Sequence, residues 1–232
     1  MRRSSRLAGL LGSLLLCLSG QAAEDYSDAE RALFMDNQLA NLQPPATVRY
    51  VYRKSGSLET PFEDSATLTL AKKPDGSCCA ANAEFLTGAR RVTLPELESP
   101  QGNPVILYFL ERDIHEMQRL TKGQHNYFRK RIRMAVFEGA KIRDVTLSYR
   151  GASVPGKEIT ISPYLDDPLR ARYEKLANKQ YVFTLSSAVP GGVYAMHSRI
   201  TGDAAGAEPL IEEDLRIDGA PAPAPGSAPR KP

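Results

Sequence analysis

The sequence predicts an α+β fold with a mostly antiparallel sheet and a few helices. Three observations predict it. Several segments after residue 45 alternate apolar with polar side chains, the pattern of strands with one buried face. Two other segments, near the N-terminus and over 110–139, repeat apolar residues at three- and four-residue intervals, the helical period. Pro74-Asp75-Gly76 and Pro190-Gly191-Gly192 supply tight turns between alternating runs, as an antiparallel meander requires.

Each element has its own justification. Ser27, followed three residues later by Glu30, has the form of a capping box, and a helix is expected from there to about Leu42. Its stripe is Met35, Leu39 and Leu42, at i, i+4 and i+7, and Pro44-Pro45 stops it. Val48, Tyr50 and Tyr52 then share one face of a strand, with Arg49 and Arg53 on the other. Ala66, Leu68 and Leu70 repeat the pattern, and Cys79, Ala81, Ala83 and Phe85 continue it on a returning strand. The wholly apolar run 105–110 suits a central strand. A helical hairpin follows: Leu110, Ile114 and Met117 share one face, Gly123 interrupts, and Phe128, Ile132, Ala135 and Val136 share another until Gly139. Val145, Leu147 and Tyr149 alternate, as do Ile159 and Ile161, with 151–156 as the connection. Asp167-Pro168 opens a short helix with Leu169, Tyr173 and Leu176 as its buried stripe. Tyr181, Phe183 and Leu185, then 193–200, then 209–217 complete about nine strands and four helices.

The termini and the charge bear on location and partners. Arg2, Arg3 and Arg6 precede an apolar stretch, 7–18, and Gly20, Ala22 and Ala23 provide small side chains near a cut, so residues 1–23 are expected to be a cleaved signal peptide. That stretch is well short of the roughly 20 residues a membrane span needs. Leu16, rather than a small residue, precedes Cys17, so no lipobox is formed. The mature chain is expected in the periplasm or secreted, with one domain over 24–218, a disordered Pro/Ala-rich tail over 219–232, and no transmembrane segment. Thirty basic residues less the three arginines of the leader leave twenty-seven, against twenty-seven acidic ones. A formal charge of zero lacks the basic excess of a nucleic-acid-binding domain, and no nucleic-acid partner is expected. The charge is uneven: 112–143 holds nine Lys and Arg against three acids, and 203–218 holds six acids and one base. These two segments either face each other or form separate solvated faces.

Motifs that point to chemistry fail on their context. Gly151 to Lys157 has P-loop spacing, but Glu158 follows the lysine and the chain runs into a strand instead of a helix. Gly151-Ala152-Ser153-Val154-Pro155 is one glycine short of a nucleophile elbow. Cys78 and Cys79 are adjacent, so a bridge between them crosslinks no distant segment, and they read as small buried side chains, with a redox, metal or intermolecular role as the alternative. Glu111 and His115 lie one helical turn apart, which reads as a surface salt bridge rather than a metal site, and Met196-His197 neighbours point to opposite faces of a strand. No metal, no cofactor and no enzymatic activity are expected. Arg129 and Arg133, one turn apart on a basic helix, are either the solvated side of an amphipathic helix or candidates for gripping a phosphate or carboxylate such as a lipid head group.

The secretory leader, the N-terminal helix, the tyrosine-bearing strand and the meander interrupted by helices together resemble the LolA/LolB-like periplasmic lipoprotein-carrier superfamily, over roughly residues 27–217. The resemblance implies a mostly antiparallel, curved, half-barrel-like sheet covered by a few helices, with a cleft between them for acyl chains. It implies that Met35 and Leu39 of the first helix, with Val48, Tyr50 and Tyr52 of the first strand, line that cleft. The function expected on this basis is a periplasmic carrier or chaperone for a hydrophobic ligand or lipid. The alternative is a non-enzymatic envelope interaction protein that meets a protein partner through the basic helix 126–138 or the acidic segment 203–218.

Overall fold

A computed structural model describes residues 26–94, 97–98, 102–202 and 207–222. The expected leader, the mature start at Glu24, Asp203 and most of the tail lie outside the described residues. The alternating segments become one curved, unclosed antiparallel sheet. Its strands are β1 (Ala46–Ser55), β2 (Phe62–Lys72), β3 (Cys78–Phe85), the two-residue β4 (Leu97–Glu98), β5 (Lys141–Tyr149), β6 (Ala152–Ile161), β7 (Gln180–Leu185), β8 (Val193–Ile200) and β9 (Ile211–Ile217). Their order across the sheet is β4-β3-β2-β1-β9-β8-β7-β6-β5.

That order dictates where the helices go. The first four strands walk outward from β1 to one edge, and the chain must then reach β5 on the opposite edge. The connection is the predicted helical hairpin, α2 (Val105–Thr121) and α3 (His125–Glu138), which lies across one face: α2 meets β3 and β8, and α3 meets β6. The covered face carries the core, with Tyr50, Leu68, Phe85, Phe183, Met196 and Leu215 each at most 1% exposed. Burying a large apolar side chain contributes roughly 1.5–3 kcal/mol, so this face is the main source of stability.

Five expectations are corrected. Residues 105–110 are not a strand but the first turns of α2. A short apolar run has the same composition in a central strand and in a helix buried on most sides, and here only Leu107 of the six is exposed. Asn103 starts the helix locally, its Oδ1 accepting from the Val105 N–H at 3.0 Å. The N-terminal helix keeps its capping box but is short: one α-turn, α1 (Asp28–Glu30), widens into a π-helical turn (Arg31–Met35) and stops. Asp36 and Asn37 favour turns over helix, and the Gln38 amide donates back to the carbonyls of Ala32 (2.6 Å) and Leu33 (3.4 Å). The connection over 151–156 is only the pair Arg150-Gly151, both at positive φ, so β6 already begins at Ala152. The helix after Pro168 is two 3₁₀ turns (Arg170–Arg172 and Glu174–Asn178), in which Tyr173 and Ala177 are buried and Leu169 is exposed. Cys78 and Cys79 are joined to each other as a disulfide and are not buried: Cys78 is exposed on the sheet edge beside β4.

Candidate functional site

Two places concentrate polar chemistry against apolar surroundings. The first is a charged row inside the core. Strand register sets Lys54 of β1 opposite Glu213 of β9, Glu213 opposite Ser198 of β8, and Ser198 opposite Tyr181 of β7. These four side chains face the helices. Above them α2 presents the consecutive Arg112 and Asp113, with Glu116 four and three residues beyond them and so one turn along the same face. Arg112 bonds Glu213 and lies 3.2 Å from Glu116, and Lys54 Nζ reaches Glu116 Oε1 at 2.5 Å. Lys179, just before β7, bonds Asp113, and the Tyr181 hydroxyl donates to the same carboxylate. The Arg112 guanidinium sits 5.0 Å from the centre of the Tyr52 ring.

The electrostatics follow from burial and company. Burial alone would raise the Glu213 carboxyl, but Arg112, Lys179 and Lys54 outweigh it and hold Glu213 down at about 2. Burial would strip the proton from Lys179, yet Asp113, Glu213 and Glu116 keep its ammonium above the ordinary lysine value. Burial pushes the Tyr181 hydroxyl well up, and Asp113 beside it pushes further. The row is thus a charge-balanced lock between α2 and four strands. Glu212 faces Arg199 at 3.4 Å and Asp214 pairs with Arg216 at 2.8 Å. Most of the acid of the last strand is therefore consumed within the fold, and the basic and acidic segments meet at Arg112 and Glu213.

The second place is a groove at the β5 edge. It has a volume of about 830 Å³ and lies between the C-terminal half of α3, the start of β5 and the loop after β6. Met134, Ala135, Ile142, Pro163 and Leu165 line it, and Ile142 and Leu165 are 39% and 42% exposed. On its charged rim Arg143 pairs with Glu158 at 2.6 Å and Arg131 with Asp167 at 3.0 Å, and Glu138, Lys141 and Asp166 complete the charged lining. On the other side of Met134 an adjoining hollow of about 480 Å³ is lined by Tyr26, Glu30, Lys130, Arg133 and Phe137. Among the described residues Lys130 and Arg133 have no carboxylate partner, while Glu30 accepts from the Ser27 N–H in the capping box.

The residues singled out from the sequence fall as follows. Leu39, Val48, Tyr50 and Tyr52 are buried in the packed core, and the Tyr50 hydroxyl accepts from the Asn103 amide at 2.9 Å; Met35 is 38% exposed. A hollow of about 380 Å³ opens beside the first helix, lined by Ala32, Gln38, Asn41, Pro155 and Leu185 and by none of those five. Arg133 lines the hollow beside Met134, whereas Arg129 is engaged by Glu111 through both carboxylate oxygens at 2.9 and 3.0 Å, so the two do not converge on one point. Met134 and Phe137 were overlooked although they fall off the buried stripe of α3, and apolar residues there are the signal of a second apolar surface.

No protein-family model and no curated protein matches this chain. Among solved structures it is similar to the lipoprotein LppX of Mycobacterium tuberculosis, with a TM-score of 0.31 and 11% identity over 78% of this chain and 89% of that one. A likeness of that degree fixes neither ligand nor role. Among the described residues no helix is long and apolar enough to cross a membrane.

Proposed function

We propose that this chain is an envelope carrier that binds one amphipathic lipid with an anionic head group. The observation that carries the reading is the pair of adjoining hollows on either side of Met134, one roomy and partly apolar, the other bearing Lys130 and Arg133 without carboxylate partners among the described residues. An acyl chain laid over Met134, Ile142 and Leu165 covers apolar surface left open to water, at roughly 0.8 kcal/mol per buried CH₂. The head group then meets one ammonium, of Lys130, and one guanidinium, of Arg133, at the outer end. The charged row under α2 fills the middle of the sheet with ion pairs, which favours an edge groove over a central cavity for the acyl chain. The secretory leader expected from residues 1–23 is consistent with a role in the envelope.

Native mass spectrometry of the full chain purified from its own envelope, followed by solvent extraction, tests the proposal. A bound mass released as an anionic lipid, restored by adding a long-chain fatty acid to delipidated protein, is the expected result. Bare protein that takes up no fatty acid would overturn it. Binding to anionic vesicles without uptake of single lipids would replace the carrier reading with one of surface attachment through α3.

A further inference from the structure

We infer that Glu111, His115 and His125 form a binding site for a single divalent transition-metal ion of the zinc and copper class, at the open end of the helical hairpin. The site lies apart from the lipid groove and does not depend on it. Sequence spacing pairs Glu111 with His115 on α2 and leaves His125 unrelated to them. The fold supplies the missing ligand: Lys122, at φ 58, and Gly123 reverse the chain so that α3 begins at His125, directly beside His115. The two imidazole rings lie 4.6 Å apart between centroids. Glu111 Oε1 is 2.7 Å from His125 Nε2 and 3.5 Å from His115 Nε2, and one donor atom from each of the three residues falls within a 4.8 Å cluster.

Those separations lie within reach of a single metal centre. A tetrahedral ion with bonds of 2.0–2.1 Å needs donors about 3.3 Å apart, so small side-chain rotations bring all three nitrogen and oxygen atoms onto one centre. Without an ion, two imidazoles compete for one carboxylate oxygen, and His125 Nε2 is buried without a hydrogen bond of normal geometry. Neutral imidazole and carboxylate are the donors that zinc and copper prefer, whereas magnesium and calcium require mostly oxygen. Arg129 bonds both oxygens of Glu111 and can keep Oε2 while Oε1 turns to the ion, the outer hydrogen bond that orients a metal ligand. His115 has 60% of its side chain exposed, so the fourth coordination position faces solvent. The ion would clamp the start of α3 to α2 and leave one exchangeable position.

Isothermal titration of untagged, EDTA-treated full chain with ZnCl₂, and separately with CuCl₂, tests the site. One ion per chain is expected, with affinity weakened at least tenfold in H115A, in H125A and in Glu111→Gln, and unchanged in H197A. His115 is exposed, so H115A retains the fold even where H125A does not. Absence of binding, binding of more than one equivalent with no strong step, or affinity unaffected by H115A would each overturn the inference.

Discussion

Lys179 and Asp113, neither exposed to solvent, form an ion pair that joins the start of β7 to the middle of α2. Two charges removed from water repay their desolvation only while both are present and hydrogen-bonded. Replacing Lys179 by Met, or Asp113 by Asn, strands the partner and is expected to destabilise the fold by about 3–5 kcal/mol. The double variant removes both charges and should cost less than the sum of the single ones, with a coupling of at least about 2 kcal/mol. Urea unfolding of the four proteins measures this, and additive costs would show that the pair is not the lock described above.

Glu213 gives the row its pH dependence. Its carboxyl is held at about 2 in the folded chain, against an ordinary value of 4.5. A carboxylate with a depressed folded pKa contributes stability that is complete above the unfolded value and is lost as pH falls through the folded one. The stability difference between the wild type and E213Q should therefore be constant above about pH 5 and shrink by about 3 kcal/mol between pH 4.5 and 2. A difference that stays flat down to pH 2 would mean that Glu213 is not held ionised by Arg112, Lys179 and Lys54.

The groove makes a prediction that separates binding from folding. Leu165 is 42% exposed and on the groove wall, so L165D should change stability by less than about 1 kcal/mol while weakening fatty-acid uptake at least tenfold. Lys130→Glu combined with R133E should weaken binding of a fatty acid more than that of its neutral methyl ester. Equal losses for acid and ester would remove the head-group role from these two cations.

Much of the sheet was legible because its signals are local. Val48, Tyr50 and Tyr52 on one strand face, and the turn at Pro74-Asp75-Gly76, depend on period and turn chemistry that a few residues carry. The stretch 105–110 was misread because six apolar residues carry no period of their own. The decisive signal was their continuation into Ile114 and Met117, preceded by Asn103-Pro104 as a start. The charged row was invisible for a different reason: Lys54, Glu213, Ser198 and Tyr181 become neighbours only through β1–β9, β9–β8 and β8–β7 pairing, which no single segment encodes. His125 joined Glu111 and His115 in the same way, through a hairpin reversal.

Gly56 marks the joint where the two halves of the sheet close on each other, one residue past the last β1–β9 pair, Ser55 with Glu212. Its φ is +126, and a Cβ there would stand 2.5 Å from the Leu210 carbonyl oxygen and 2.9 Å from the Ile211 Cα, both backbone atoms that cannot rotate away. The same loop is pinned by the Ser57 and Leu58 N–H groups, which donate to the carbonyls of Pro209 and Leu210 at 3.0 Å each. Gly76 provides the comparison, since its φ is +82 but nothing lies within 4 Å of its would-be Cβ. G76A therefore reports the left-handed penalty alone, about 1 kcal/mol, whereas G56A adds the clash and should cost about 3 kcal/mol or more. Amide exchange should localise the added loss to β9 and the end of β1. Equal costs for the two variants would show that the joint relaxes freely and that β1–β9 closure does not depend on this glycine.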